Sequence, residues 1–222
     1  NISDPTGTQS ETYLQDISIG DIKKIEILKS TQGSIHGSQA AGGLIAVTTK
    51  DGKYNKKQFS QKNEYGSNNS MYSGTYYSLG KNNYKLSVNT NVYHSDGISS
   101  GNVEGQNEEN DAYNYANVTL KGQLKSEKNK VSFVFRDSSS KSEYDKYNQT
   151  DNNDFSKNNT QSGSVQWEFV TGDDINHAIK YNPTRVNRRT AGSYNSDQSS
   201  KKHTVEYVVQ KKIFGKHLIG FG

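Results

Sequence analysis

The chain has 222 residues, of which 29% are hydrophobic and 23% charged, and its mean hydropathy is −0.99, so it carries little apolar material for a closed soluble core. Its formal charge of +4 is scattered without a basic stripe, which gives nucleic acid no electrostatic footprint. Cysteine is absent, excluding disulfide frameworks and thiolate metal sites, and no run of roughly 18 apolar residues exists for a transmembrane helix.

In chain order, residues 1–15 read as loop, with a turn at Asp4-Pro5-Thr6-Gly7. Ile22, Ile25, Ile27 and Leu28 among charged neighbours predict a short strand after a turn or helical stub, and residues 44–49 predict a second strand. Between them lies a glycine-rich stretch, residues 31–43. It lacks Gly-Lys-Ser/Thr and Gly-x-Gly-x-x-Gly, and no helix follows it, so its glycines serve tight turns and close backbone packing instead of a phosphate. Residues 51–57 form a charged linker.

Beyond it the pattern is period two. Residues 59–65 and 72–79 predict strands, followed by residues 84–92, where Tyr84, Leu86, Val88, Thr90 and Val92 alternate with Lys85, Ser87, Asn89 and Asn91. The alternation returns over residues 116–124, in Val131, Phe133 and Phe135, in Val165, Trp167 and Phe169, in Ile175, His177, Ile179 and Tyr181, and in Val205, Tyr207 and Val209. Tight turns at residues 80–83, 127–130, 171–174 and near Phe214-Gly215 alternate with polar loops expected over residues 96–111, 138–160 and 182–202.

One apolar face per strand with a polar opposite face, plus alternating short and long connections, points to an all-β transmembrane antiparallel barrel with a wet interior. An antiparallel sandwich shares the parity but not the loop asymmetry. A lysine at the lipid midplane would cost about 2 to 4 kcal/mol. Lys85 and Lys121 must therefore face the lumen, leaving the Tyr84 and Val118 parities to face lipid. Tyr72, Tyr84, Tyr93, Trp167 and Tyr181 near strand ends suit either an interfacial aromatic girdle or cross-strand packing. The chain opens at Asn1 and stops at Phe221-Gly222 inside an alternating segment, and so reads as an internal fragment of a longer protein.

Ile22-Lys23-Lys24-Ile25-Glu26-Ile27-Leu28-Lys29, followed by Gly37-Ser38-Gln39-Ala40-Ala41-Gly42-Gly43-Leu44-Ile45-Ala46-Val47-Thr48-Thr49-Lys50, resembles the end of the plug domain of TonB-dependent outer-membrane receptors. Ser30-Thr31 stands where that family usually has Gly-Pro, and His36 where it usually has Tyr. The resemblance implies that residues 1–52 are the C-terminal part of a plug. Residues 53–222 would then be the first nine or so strands of a roughly 22-stranded barrel in the bacterial outer membrane. It implies as partners a metal chelate, outer-membrane lipid and TonB, the last through a segment outside this chain. A porin or adhesin barrel lacks such a plug.

Asn1-Ile2-Ser3-Asp4-Pro5 resembles the upstream plug segment that carries ligand-facing loops, which implies ligand contacts at Asn1, Ser3 and Asp4. Tyr65-Gly66-Ser67-Asn68-Asn69, Asp96-Gly97, Glu109-Asn110-Asp111 and Tyr144-Asp145-Lys146-Tyr147 are similar to the cobalamin-receptor branch, whose extracellular loops bind calcium through aspartates. That implies ligand contacts at Tyr65, Asn68 and Asn69 and calcium at Glu109, Asp111 and Asp145, with Glu109 standing where an aspartate is expected. No intrinsic cofactor is implied, and a ferric-siderophore or haem receptor of the same family is the alternative.

Read from the residues alone, the loop acids (Glu104, Glu108, Glu109, Asp111, Asp137, Glu143, Asp145, Asp151, Asp154) offer oxygen ligands for calcium or a solvated surface. No catalytic set is expected. The five histidines are dispersed, and His94, Ser95 and Asp96 sit on a strand where adjacent residues point to opposite faces.

Overall fold

The computed structural model describes residues 17–29, 43–99, 110–145, 154–172, 175–213 and 217–221. Asn1, Ser3, Asp4 and Glu109, expected to touch ligand or calcium, lie outside these residues. So do most of the glycine-rich stretch and parts of the loops.

A single 3-10 turn, Ile19–Asp21, leads into β1 (Ile22–Leu28), which pairs antiparallel with β2 (Leu44–Thr49) as a separate two-stranded sheet. The rest is one nine-stranded meander: β3 (Lys57–Tyr65), β4 (Met71–Gly80), β5 (Tyr84–Ser95), β6 (Tyr113–Lys125), β7 (Asn129–Tyr144), β8 (Asp154–Thr171), β9 (Ile175–Ala191), β10 (Ser196–Ile213) and β11 (His217–Phe221). Every strand pairs antiparallel with its sequence neighbours. This is the expected all-β, antiparallel barrel wall. Among the described residues no helix is long and apolar enough to cross a membrane.

The two faces of the wall differ in chemistry. Register places Leu86, Gly122, Phe133, Val165, Tyr181 and Val205 in one row and Tyr84, Leu124, Val131, Trp167, Ile179 and Tyr207 in the next. These side chains form the outward face, where Leu124 is 54% and Val165 50% exposed. An exposed apolar surface this broad exceeds what a monomeric protein in water ordinarily shows, and it matches the outward apolar band of a barrel fold. The belt climbs across the register: Val92 on β5 shares a row with Asn187 on β9. Such a slant follows from tilted strands. The opposite face carries Ser87, Asn89, Asn91, Asn117 and Thr119, all buried.

Connections at one end of the wall are three residues each (81–83, 126–128, 172–174, 214–216), while those at the other run over residues 66–70, 96–112, 145–153 and 192–195. Two expected loops are thus corrected. Residues 138–144 continue β7, residues 154–160 begin β8, and most of 182–202 belongs to β9, β10 and a short hairpin turn. Above the apolar belt both faces of these strands are polar, as in Ser138 paired with Thr160 and Asn187 with Ser199. Period-two contrast therefore vanishes while the backbone ladder continues. Two expected girdle positions are corrected as well: Tyr72 and Tyr93 share the inward parity of Asn91, and only Tyr84, Trp167 and Tyr181 face outward.

Candidate functional site

The inward face is shaped to hold the segment that precedes it. Ser18 caps the first turn by accepting from the Gly20 amide at 3.2 Å, and the turn directs Asp21 at the middle of β5 and β6. The Asp21 carboxyl is 1% exposed, and burial without partners would cost several kcal/mol. Four donors meet it. Oδ1 accepts from Asn89 and, at 3.4 Å, from Asn91; Oδ2 accepts from Asn117 Nδ2 at 2.8 Å and Thr119 Oγ1 at 2.9 Å. Asn91 also donates to Asn117 Oδ1 at 2.9 Å and accepts from the Tyr72 hydroxyl at 2.6 Å, so the donors hold one another in place.

The end of β2 is tied to the same wall. Lys121 Nζ donates to Thr49 Oγ1 at 2.5 Å and to its carbonyl at 3.2 Å, and Lys85 pairs with Asp51. Tyr54 donates to Gln123 Oε1 at 2.9 Å, with the Lys85 and Lys125 ammonium groups 5.6 and 4.0 Å from its ring centroid. Both lysines that parity assigned to the lumen thus find their partners there. Beside the clamp, a cavity of about 420 Å³ opens between Ile19-Gly20 and β3 to β5, with Lys62, Glu64, Tyr72 and Tyr93 on its walls.

At the long-connection end, three residues expected to touch ligand come together. Asn68 and Asn69 turn the β3–β4 connection in the left-handed region (φ +54° and +49°), where asparagine is tolerated better than most residues. The Tyr65 hydroxyl donates to Asn69 Oδ1 at 3.0 Å, Asn69 Nδ2 donates to Asp96 Oδ2 at 2.6 Å, and the Asn68 carbonyl accepts from the Asp96 amide at 2.9 Å. His94 stands between Asn114 Oδ1 at 2.8 Å and Asp96 Oδ1 at 3.1 Å. With oxygen acceptors at both ring nitrogens the imidazolium is favoured, and the pKa of His94 lies above its ordinary value, chiefly through Asn114 and further through Asp96.

Ser95 turns to the other face, its Oγ 3.0 Å from that of Ser70. The Ser95 hydroxyl therefore points away from the His94 and Asp96 side chains. Gly97 (φ +75°) brings the loop back so that the Asp111 amide donates to the Ile98 carbonyl at 3.3 Å.

Asp111 precedes β6 and Asp145 follows β7, so two of the three expected calcium ligands flank neighbouring strand ends. Among the described residues no three carboxylates or imidazoles converge on a metal position. Two carboxylates supply part of the six to eight oxygens that calcium takes. The clamp of Asp21, Asn89, Asn91, Asn117 and Thr119 went unread in the sequence. Its one visible trace there was a run of amide and hydroxyl side chains at mid-strand, all of inward parity.

No protein-family model matches the sequence, and no curated protein matches it. Among solved structures the chain is similar to the siderophore receptor PiuA from Acinetobacter baumannii, with a TM-score of 0.71 and 12% sequence identity. The likeness covers 89% of this chain and 33% of that receptor, so the chain spans about a third of its length. The shared feature is the fold.

Proposed function

We propose that this chain is part of a TonB-dependent receptor of the bacterial outer membrane, which captures a scarce metal chelate outside the cell and admits it with energy relayed by TonB. The observation that carries the reading is the Asp21 clamp. A passive pore keeps its lumen open, whereas here the inner wall spends Asn89, Asn91, Asn117 and Thr119 on holding the preceding segment inside. In this reading residues 1–52 are the end of the plug. The three-residue turns face the periplasm, and the rim around Tyr65, Asn68 and Asn69 faces the medium.

A ferric siderophore is the leading cargo, supported by the likeness to a siderophore receptor. Cobalamin is the second reading. It draws on Asp111 and Asp145 at adjacent strand ends, which with Glu109 would hold a calcium ion that orders the loops. Asn1, Ser3 and Asp4 would meet the cargo from the plug side.

The test is titration of the full-length protein in detergent with ferric hydroxamate, ferric catecholate, haem and cobalamin, each with and without a calcium chelator, paired with uptake in cells with and without TonB. Submicromolar binding of one ferric chelate, with uptake lost when TonB is deleted, is expected. Calcium-dependent cobalamin binding would move the assignment to the second reading. Uptake indifferent to TonB would overturn both.

A further inference from the structure

Register brings cations together on the outward face of β8 to β10. Lys157 is the cross-strand partner of Arg189, and Arg185 that of Lys201. All four have the parity of Val165, Tyr181 and Val205, and all four are exposed. Like charges directly opposite each other destabilise a strand pair, and here two such pairs sit on one face. None of the ion pairs among the described residues engages them.

The acids of the same face do not neutralise them. Asp137 accepts from Gln161 Nε2 at 3.2 Å, Glu143 pairs with Lys141 at 2.7 Å, and Asp197 lies across from Arg189 without forming an ion pair. An external anion is what this arrangement lacks.

Height identifies where the anion comes from. On β9 the outward positions Ile175, His177, Ile179, Tyr181 and Pro183 make up the belt, and Arg185 follows. Ten steps from Ile175 to Arg185 are about 33 Å of strand, or about 25 Å of height at a tilt of about 40°. That is the thickness of the apolar band of such a barrel. Arg185 and Lys201 therefore stand at its upper boundary, and Lys157 and Arg189, four residues further along, stand about 10 Å higher, among headgroups.

We propose that the outward face of β8 to β10 binds the phosphate groups of a phosphorylated glycolipid in the outer leaflet, through Arg185 and Lys201 at the belt edge and Lys157 and Arg189 above it. The inference rests on the outer-membrane reading given above. It adds a lipid partner on the outside of the wall, away from the clamp and the rim.

The test uses the full-length protein extracted from outer membranes in mild detergent, with purified lipopolysaccharide, the same material after phosphate removal, and inorganic phosphate as probes. Combined Lys157→Gln, Arg185→Gln, Arg189→Gln and Lys201→Gln should lower lipopolysaccharide retention about tenfold, as expected for loss of one or more charge-assisted contacts. Dephosphorylated material should bind the unaltered protein no better than it binds this variant.

Equal charge removal at the short-turn end, through Lys56→Gln, Lys57→Gln, Lys81→Gln and Lys128→Gln, should leave retention unchanged. Retention unaltered in the first variant, or equally reduced in the second, would overturn the proposal. Displacement of the lipid by inorganic phosphate at equal phosphate concentration would overturn the glycolipid assignment. Outer-membrane fractionation and heat-modifiable migration of every variant separate these failures from failure of the membrane reading. A protein that fractionates elsewhere sinks that reading, and the lipid inference with it.

Discussion

Asp21 and Asn117 are 96 residues apart in the chain and 2.8 Å apart at their side chains, inside the wall and away from water. This bond and its three companions make the seating of the N-terminal segment a matter of hydrogen-bond satisfaction, since little apolar surface is buried between the two parts. Tyr76, Tyr115 and Val186 are the buried hydrophobic residues among those described, while buried polar residues are far more numerous.

Asp21→Ala would remove the shared acceptor, leaving the Thr119 hydroxyl without its acceptor and the amide groups of Asn89, Asn91 and Asn117 with only their second acceptors, Gly20 O, Asn117 Oδ1 and Thr119 Oγ1. One orphaned buried donor costs about 1 to 3 kcal/mol, and several cost more unless water enters. We expect the N-terminal segment of the full-length variant to become protease-sensitive while the barrel stays intact. Asp21→Asn, which keeps one acceptor oxygen, should fall between the two. Limited proteolysis in detergent reads the order directly, and equal protection in all three proteins would show that the clamp does not hold the segment.

Leu120 tests the opposite face. Its side chain points outward between Val88 on β5 and Phe135 on β7, within the belt. Leu120→Arg should cost about 2 to 4 kcal/mol of folded barrel in a bilayer. Thr119→Val, one residue away and inward, should spare insertion and weaken only the clamp. Folding efficiency into lipid vesicles, followed by heat-modifiable migration, separates the two effects.

What the sequence revealed, and what it did not, divides along the same physical line. Tyr84 to Val92 was legible because an apolar outward face and a polar inward face impose opposite demands on alternate residues. Residues 138–144 and 182–191 were not, because beyond the apolar belt serine, asparagine and lysine stand on both faces and the period-two contrast fades. Tyr72 and Tyr93 misled because tyrosine is amphipathic enough for a membrane interface or for a polar lumen. The Asp21 clamp was invisible for another reason: parity shows which face Asn89 and Asn117 share, and nothing local shows what arrives there from 68 or 96 positions away. At the rim, Tyr65, Asn68 and Asn69 were singled out by resemblance, and their mutual bonding through Asp96 is a property of the fold.

Gly97 controls how the loop after β5 returns to Asp111. Its φ of +75° is strained for any side chain, and a Cβ there would stand 1.9 Å from the Asp111 carbonyl oxygen, an atom of backbone that cannot swing aside. Gly97→Ala should displace residues 110–112 and, under the receptor function proposed above, cut chelate affinity while leaving barrel folding unchanged. Unaltered affinity would remove this loop from the binding surface.

His94 makes the same rim pH-sensitive. It lies beyond Val92, the last apolar outward position of β5, and both of its ring nitrogens meet oxygen acceptors, on Asn114 and Asp96. Its pKa is raised from 6.5 in the folded protein, first by the Asn114 bond and then by Asp96. A raised value means that the folded state favours the proton, so the contribution to rim order is complete below pH 6.5 and is lost as pH climbs through the higher folded value. The neutral ring keeps one N–H and must give up one of the two bonds. The Asp96 amide, held by the Asn68 carbonyl, should therefore exchange its hydrogen more readily above that window than below it, beyond the ordinary pH dependence of exchange. His94→Gln should abolish the excess while preserving a single bond. A pH profile identical in both proteins would show that the pair orders nothing at the rim.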